Sequence, residues 1–277
     1  MRLGIFSEHL RDYAAAKGIS RGEAGRLFAQ YGVCETEVGY GEWGSEDPVS
    51  DTASYGMPVR CLHACCSLCA ADEGAFSTGL EAAARAVAAA GELGAEFLLL
   101  VAGLPDEVAG ESDRARAFDR CCAGLEEAVR LGNARGVRVT IENFSQPILP
   151  FSRAEDLVRM FREVEGLVFT LDAGNFACFG ERLEEAQPRL PVPVLVHFKD
   201  WLPADRGFGD PPLDGVPYGT GIVPLRDCFG RLRDAGYDGT VILEHNAVCF
   251  RPDDLTACAG YMQKLLAPDG SVPGSRV

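Results

Sequence analysis

Four residues in the second half of the sequence carry metal-binding side chains and share a position at the end of an apolar run. They are Glu142, Asp172, His197 and Glu244, and the runs before them cover residues 139–141, 169–171, 195–196 and 241–243. Charged residues also follow strands simply because loops begin there, but four such endings in consecutive runs favour a shared site. Three carboxylates that converge without a cation would repel one another, and their pKa values would rise. A divalent ion removes this conflict, and this ligand set suits Mn²⁺, Mg²⁺ or Co²⁺, with Zn²⁺ as a further candidate.

The four runs belong to a repeated alternation of short β-rich segments with amphipathic helices. We predict strands at residues 3–7, 34–38, 59–63, 96–101, 137–142, 167–172, 194–197 and 240–244, and helices at 20–31, 78–93, 112–134, 153–164 and 225–235. This alternation predicts a parallel sheet with right-handed crossovers. Eight strands, and no glycine-rich dinucleotide fingerprint after the first, favour an α/β fold closed into a (β/α)₈ TIM barrel. The last four strand ends would then meet on one face of the barrel.

The chain length of 277 residues suits one such barrel. We expect a single barrel domain at residues 1–265 and a loose C-terminal tail at 266–277. The Gly- and Pro-rich stretch at 203–221 falls between the seventh strand and its helix. We therefore expect it to be a loop over the barrel mouth and not a linker between domains.

Composition and charge narrow the class of function. A net charge of −15, without any basic block, argues against nucleic acid as a partner. The first residues show no apolar signal region, and no uncharged apolar run approaches the roughly 18 residues of a membrane span. We therefore expect neither secretion nor a membrane partner, while association into a homo-oligomer stays open. Eleven cysteines, an odd number, fit reduced thiols in the cytoplasm better than a disulfide framework.

Five short motifs give the chain a resemblance to a known family. They are Ile141-Glu142-Asn143, Asp172-Ala173-Gly174-Asn175, His197-Phe198-Lys199-Asp200, Val216-Pro217-Tyr218-Gly219-Thr220-Gly221 and Ile242-Leu243-Glu244. In order and spacing the sequence resembles the xylose-isomerase-like barrel enzymes from about residue 1 to 265. This family includes sugar-phosphate isomerases and epimerases, and the similarity is greatest to the 3-epimerases of pentulose phosphates. The resemblance implies that Glu142, Asp172, His197 and Glu244 bind the metal and that Glu142 and Glu244 also move protons.

The chemistry implied is proton abstraction next to a carbonyl group of a sugar or sugar phosphate. A metal that chelates the carbonyl and the adjacent hydroxyl oxygen stabilises the developing enediolate. One glutamate removes the proton, and a glutamate on the other face returns one with inverted configuration. A proton returned to the neighbouring carbon gives aldose–ketose isomerisation instead.

Other functions are compatible with the same scaffold. The same intermediate could expel a β-hydroxyl group, which would make the chain a dehydratase or lyase acting on an inosose-like or keto-acid substrate. A DNA-repair endonuclease of the superfamily assembles three metals with many histidines, whereas this acidic chain has only four histidines. A binding subunit without turnover would not need the complete set of four ligands.

Five further residues are predicted to contact the substrate: His63, Trp43, Asn143, Asn175 and Lys199. The chain departs from the tagatose-type 3-epimerases at Ile148 and Asn175, where those enzymes carry Glu and His. This departure disfavours a free ketose and favours a phosphorylated or otherwise decorated substrate. Backbone amides of the 219–221 loop could bind a phosphate, helped by Lys199 or Arg206. The alternatives are a plain turn at 219–221 and a salt bridge from Lys199 to Asp200 or a site carboxylate.

Overall fold

A computed structural model describes residues 1–40, 54–209 and 211–267 of the chain. Eight parallel strands close into a barrel: β1 (Arg2–Phe6), β2 (Val33–Tyr40), β3 (Val59–Cys65), β4 (Phe97–Val101), β5 (Arg138–Glu142), β6 (Val168–Asp172), β7 (Leu195–Phe198) and β10 (Thr240–Leu243). Their spatial order around the barrel is β1-β10-β7-β6-β5-β4-β3-β2. The predicted barrel is confirmed, and each predicted strand overlaps the strand that forms.

Helices connect the strands on the outside of the barrel. They are α1 (Ser7–Lys17), α2 (Arg21–Ala29), α3 (Glu73–Leu93), α4 (Glu111–Asn133), α5 (Ala154–Glu163), α6 (Leu183–Ala186), α7 (Leu225–Asp234) and α8 (Pro252–Leu266). The five predicted helices are present, whereas α1, α6 and α8 were not predicted. Helix α1 was missed because it starts at Ser7 directly after β1, with Phe6 as its N-cap and no side-chain capping bond.

Local sequence explains the ends and the buried faces of the predicted helices. Ser20 and Glu23 form a capping box at the start of α2, which satisfies backbone N–H groups that a helix leaves unpaired. Helix α4 buries Phe118, Cys121 and Leu125 on one face, at the spacing expected for a core stripe.

The inside of the barrel changes from apolar to polar along its axis. Cys61, Phe97, Leu99 and Leu195 form a small buried cluster of their own, separate from the large core between strands and helices. Further along, the hydroxyl groups of Thr140 and Thr170 lie 2.8 Å apart and are fully buried. The apolar cluster therefore closes the barrel below the strand ends that carry the polar residues.

The segment at 203–221 connects the seventh strand to its helix as expected, but part of it is a β-hairpin instead of a loop. Strands β8 (Trp201–Phe208) and β9 (Leu213–Gly215) pair antiparallel outside the barrel. The indole nitrogen of Trp201 donates to the Gly174 carbonyl oxygen at 3.0 Å, and the Phe208 ring lies 5.5 Å from the Trp201 ring. The hydrogen bond from Trp201 anchors the base of the hairpin to the loop that follows β6.

Within the described ranges no helix is long and apolar enough to cross a membrane. All eleven cysteines lie in these ranges, and no disulfide joins any of them there. The predicted substrate residue Trp43 and most of the expected C-terminal tail fall outside the described residues.

Candidate active site

The four predicted ligands meet at the C-terminal end of the barrel. Their strands β5, β6, β7 and β10 are consecutive neighbours in the closed sheet. One ligand atom each from Glu142, Asp172 and His197 lies within 4.8 Å of the others. His197 Nδ1 lies 3.2 Å from Glu142 Oε2 and 3.3 Å from Glu244 Oε2. The structure therefore brings all four side chains together.

These residues pass a simple test for a cation site, which is whether buried polar atoms are left without partners. Each of the four contributes one buried atom that makes no hydrogen bond in the described part of the chain and has only ion-pair contacts within the site: Glu142 Oε2, Asp172 Oδ2, His197 Nδ1 and Glu244 Oε2. A buried polar atom without a partner costs roughly 1–3 kcal/mol. One divalent ion among them would give all four atoms a partner, so the donor set fits a divalent metal.

Burial and mutual repulsion raise the pKa of Asp172, as the sequence predicted for converging carboxylates, whereas the pKa of Glu244 is lowered, against that prediction. Burial, together with the charges of Glu244 and Glu142, raises the pKa of Asp172 to about 7 even though Lys199 lies nearby. For Glu244 burial has the same tendency, but Lys199 and His197 outweigh it and lower the pKa of this carboxyl group. A bound cation would remove the repulsion that raises the pKa of Asp172.

Lys199 is held inside the site by the carboxylates. Its Nζ lies 2.7 Å from Asp172 Oδ2 and 2.6 Å from Glu244 Oε1, and it donates to Asn175 Oδ1 at 3.3 Å. Although burial alone would lower it, these carboxylates raise the pKa of Lys199 above its usual value. Of the two alternatives for Lys199, the structure supports the salt bridge to the site carboxylates.

Glu37 on β2 is part of the site and was not predicted from the sequence. Its Oε2 lies 3.0 Å from His197 Nε2 and its Oε1 lies 3.1 Å from His63 Nδ1. Glu37 is fully buried, and although burial opposes it, the two histidines lower its pKa to about 2. A carboxylate that binds one nitrogen of a metal-ligating histidine fixes the ring so that the other nitrogen faces the metal. The sequence signal that could have identified Glu37 was a charged residue in the middle of the mostly buried strand β2.

The two predicted asparagines brace the end of β6. Asn143 Nδ2 donates to the Asp172 carbonyl oxygen at 2.8 Å, and Asn143 Oδ1 accepts from the Asp172 N–H at 2.9 Å. Asn175 Nδ2 donates to the Asn143 carbonyl oxygen at 2.9 Å. The Asp172 Oδ1 atom accepts from two backbone amides, those of Gly174 and Asn175. These bonds leave Asp172 Oδ2 facing the other ligands.

Comparison with known proteins agrees with the barrel fold. Residues 49–264 match the family model described as xylose isomerase-like TIM barrel. The chain belongs to the xylose isomerase-like TIM barrel family.

Several curated proteins and solved structures resemble the chain. The L-ribulose-5-phosphate 3-epimerase UlaE of Salmonella paratyphi C (strain RKS4594) is 26% identical over 229 residues, which cover 78% of this chain and 76% of that protein. A D-tagatose 3-epimerase-like protein superposes with a TM-score of 0.72 at 16% identity and covers 96% of this chain and 97% of its own. The IOLI protein with a binding zinc atom gives a TM-score of 0.69 at 16% identity, with 96% and 95% covered. At these identities the two structures show a common fold.

In this xylose isomerase-like barrel the 219–221 loop is a turn organised by Asp200. The Asp200 Oδ2 atom accepts from the N–H groups of Gly219 and Gly221, each at 2.9 Å, and Oδ1 accepts from Trp201 and Val223 at 3.0 Å. A Cβ at Gly221 would lie 2.3 Å from Asp200 Oδ1, so a glycine is required for this close approach. The loop amides therefore bind a side chain of the protein, and the turn alternative is the one that forms.

Proposed function

We propose that this chain is a divalent-metal-dependent isomerase or epimerase that moves a proton next to the carbonyl group of a sugar. The observation that carries the proposal is the convergence of four buried ligand atoms that make no hydrogen bond at the mouth of the barrel. The name of the curated relative, a 3-epimerase, and that of the neighbour, a D-tagatose 3-epimerase-like protein, support a sugar substrate. Glu142, Asp172, His197 and Glu244 would hold the ion, and their oxygen-rich set favours Mn²⁺, Mg²⁺ or Co²⁺ over Zn²⁺.

Glu142 and Glu244 are the proposed pair of proton carriers. They stand at the two ends of an arc of four strands, with the strands of Asp172 and His197 between them. A substrate seated over the arc would therefore meet one glutamate from each side. One carboxylate takes the proton from the carbon and the other returns a proton to the opposite face, which inverts the configuration. A metal ion bound here supplies positive charge to the oxygen on which negative charge develops.

The surroundings of Glu244 suit this role. Its Oε1 accepts from Lys199 Nζ at 2.6 Å and from Asn246 Nδ2 at 2.8 Å. Its backbone N–H donates to the Tyr218 hydroxyl oxygen at 3.0 Å. One oxygen is therefore fixed by donors while Oε2 faces the site. Lys199 favours the ionised form, which is the form that accepts a proton.

His63 is the predicted substrate residue with the clearest route to a ligand. Its side chain is 12% exposed, and its Nδ1 is occupied by Glu37. The ring packs edge-on against Phe6, with centroids 5.0 Å apart. We propose that Nε2 of His63 contacts a substrate oxygen. Asn143, Asn175 and Lys199 would act by holding Asp172 and Glu244 in place.

Deuterium exchange tests the function directly. The metal-loaded protein would be incubated in D₂O with a panel of ketoses and ketose phosphates and followed by NMR. We expect label at C3 of a ketose, and we expect Glu142→Gln and Glu244→Gln each to slow the exchange by about 100- to 10,000-fold. Glu35→Gln is the matched control because Glu35 accepts from Thr240 and pairs with Arg2, away from the four ligands.

Other outcomes of this experiment separate the alternatives. Label at C1 or C2 would show isomerisation, and loss of water from the substrate would show a dehydratase. Tight metal binding without exchange into any sugar would refute the proposed function.

A further inference from the structure

His9 lies beside the four carboxylate and imidazole ligands but is not one of them. It stands in the first turn of α1, which begins directly after β1. Strand β1 pairs with β10, and Glu244 follows β10, so His9 lies on the side of Glu244 away from β7. The His9 ring packs edge-on against Phe6, with centroids 5.8 Å apart, and the rings of His63 and His197 contact the same phenyl ring. His9 therefore belongs to the group of side chains at the barrel mouth.

A backbone hydrogen bond fixes which nitrogen of His9 can donate. The N–H of His245 donates to Nε2 of His9 at 2.8 Å. A ring nitrogen that accepts carries no hydrogen, so a neutral imidazole then carries its hydrogen on the other nitrogen. Burial lowers the pKa of His9 to about 4 and outweighs the nearby charges of Glu244 and Asp12, so the ring is neutral near pH 7. Nδ1 of His9 is therefore an N–H donor.

This Nδ1–H group is free to bind a ligand. Among residues 1–40, 54–209 and 211–267 nothing accepts a hydrogen bond from it. The His9 side chain is partly exposed, and Nδ1 is not one of the buried polar atoms that solvent cannot reach. The backbone bond to Nε2 holds the ring in place while Nδ1 keeps its hydrogen available.

The composition of the site makes a free donor useful to a sugar. The site carboxylates offer only acceptors while they are ionised. Lys199 has three N–H groups, and three protein oxygens already accept from them. A sugar hydroxyl both donates and accepts, and a carbonyl oxygen only accepts, so these oxygens need a donor from the protein. His9 is placed to supply one.

We propose that His9 binds the substrate by donating from Nδ1 to one of its hydroxyl or carbonyl oxygens, on the side of Glu244 away from β7. This inference rests on the proposed function, because it takes the ligand to be a sugar. The bond would hold the sugar beside Glu244, one of the two proposed proton carriers. It would thereby orient the carbon whose proton is moved.

Two substitutions at this position separate binding of the substrate from support of the fold. In His9→Asn the amide nitrogen can stand where Nδ1 stands, but the side chain is too short to accept from the His245 N–H. In His9→Gln the longer side chain can accept from His245, but nothing donates from the place of Nδ1. The Mn²⁺-loaded full chain and both variants would be titrated calorimetrically with L-ribulose, D-fructose and their phosphates. Exchange in D₂O and urea unfolding would be measured on the same samples.

The two variants should fail in opposite ways. We expect His9→Gln to raise Kd and KM for the sugar about 3- to 10-fold, the effect of one neutral hydrogen bond, while its urea midpoint stays near that of the wild type. His9→Asn should bind the sugar within about twofold of the wild type but unfold at a lower urea concentration, because the His245 N–H loses its acceptor. Mn²⁺ affinity should be the same in all three proteins, since His9 is not a ligand.

The other outcomes distinguish this inference from the proposed function. Sugar affinity that is unchanged in both variants, lost equally in both, or lost only in His9→Asn would overturn the inference and leave epimerase chemistry intact. Sugar binding that weakens only in His9→Gln, without exchange in the wild type, would support the inference and refute the proposed function. A wild type that neither binds nor exchanges any of these sugars would contradict both.

Discussion

Glu37→Gln should weaken metal binding although residue 37 does not touch the metal. The Glu37 carboxylate bridges His197 Nε2 at 3.0 Å and His63 Nδ1 at 3.1 Å. Both nitrogens can donate to a carboxylate, which has only acceptors. Glutamine offers one acceptor and one donor, so one of the two histidines would face an N–H group instead of an oxygen. The His197 ring would then lose the partner that directs Nδ1 toward the other ligands.

The expected size of the effect follows from this geometry. Loss of a group that orients a metal-ligating histidine typically costs 10- to 100-fold in metal affinity, or about 1.4–2.7 kcal/mol. Because Glu37 is fully buried, the mismatched donor should also lower the free energy of unfolding by about 1–3 kcal/mol.

The assay is calorimetric titration of metal-free protein with Mn²⁺, together with urea unfolding of the same samples. Glu35→Gln is a matched control because Glu35 lies two residues earlier on the same strand and points to the same side of it. Glu35 accepts from Thr240 at 2.6 Å and pairs with Arg2 at 3.2 Å, far from His197 in the barrel. We expect this control to change stability but not Mn²⁺ affinity.

A folded Glu37→Gln protein that binds Mn²⁺ as tightly as the wild type would refute the orienting role of Glu37. An equal loss of affinity in Glu35→Gln would also contradict it, because the effect would then come from general weakening of the barrel.

Three further predictions concern stability. Burial lowers the pKa of His9 to about 4, so between pH 6.5 and 4 the unfolded chain binds a proton that the folded chain does not. The free energy of unfolding should therefore decrease as the pH is lowered from 6.5 to 4, by at most about 3 kcal/mol. The His9→Gln variant should flatten the profile of unfolding free energy against pH. Asp200→Ala removes the acceptor of four backbone N–H groups and should cost about 3 kcal/mol in urea unfolding; an unchanged midpoint would contradict the role of Asp200 in the turn. Mn²⁺ at a hundred times its Kd should add about 2.7 kcal/mol to the free energy of unfolding, and a chelator should reverse the gain. In the Asp172→Asn variant, Mn²⁺ and the chelator should each change the thermal unfolding midpoint much less than in the wild type.

Much of the fold was predictable from the sequence because it depends on local patterns. Apolar runs of strand length alternate with helical stripes such as Phe118, Cys121 and Leu125, and short-range sterics and burial fix those choices. Helix α1 escaped prediction because Ser7 starts it without a capping bond or a gap after β1. The β8–β9 hairpin escaped because its pairing depends on Trp201 reaching Gly174, a contact between distant parts of the chain.

For the site, the sequence by itself determined which four side chains end the last four barrel strands and hence that they converge. Only the tertiary structure decided what surrounds them. Glu37 and His197 are 160 residues apart and become neighbours through closure of the barrel. The partners of Lys199 and of the Gly219 and Gly221 amides are likewise chosen by packing. Strand ends follow from patterns within a few residues, whereas hydrogen-bond partners depend on distances that exist only once the chain has closed on itself.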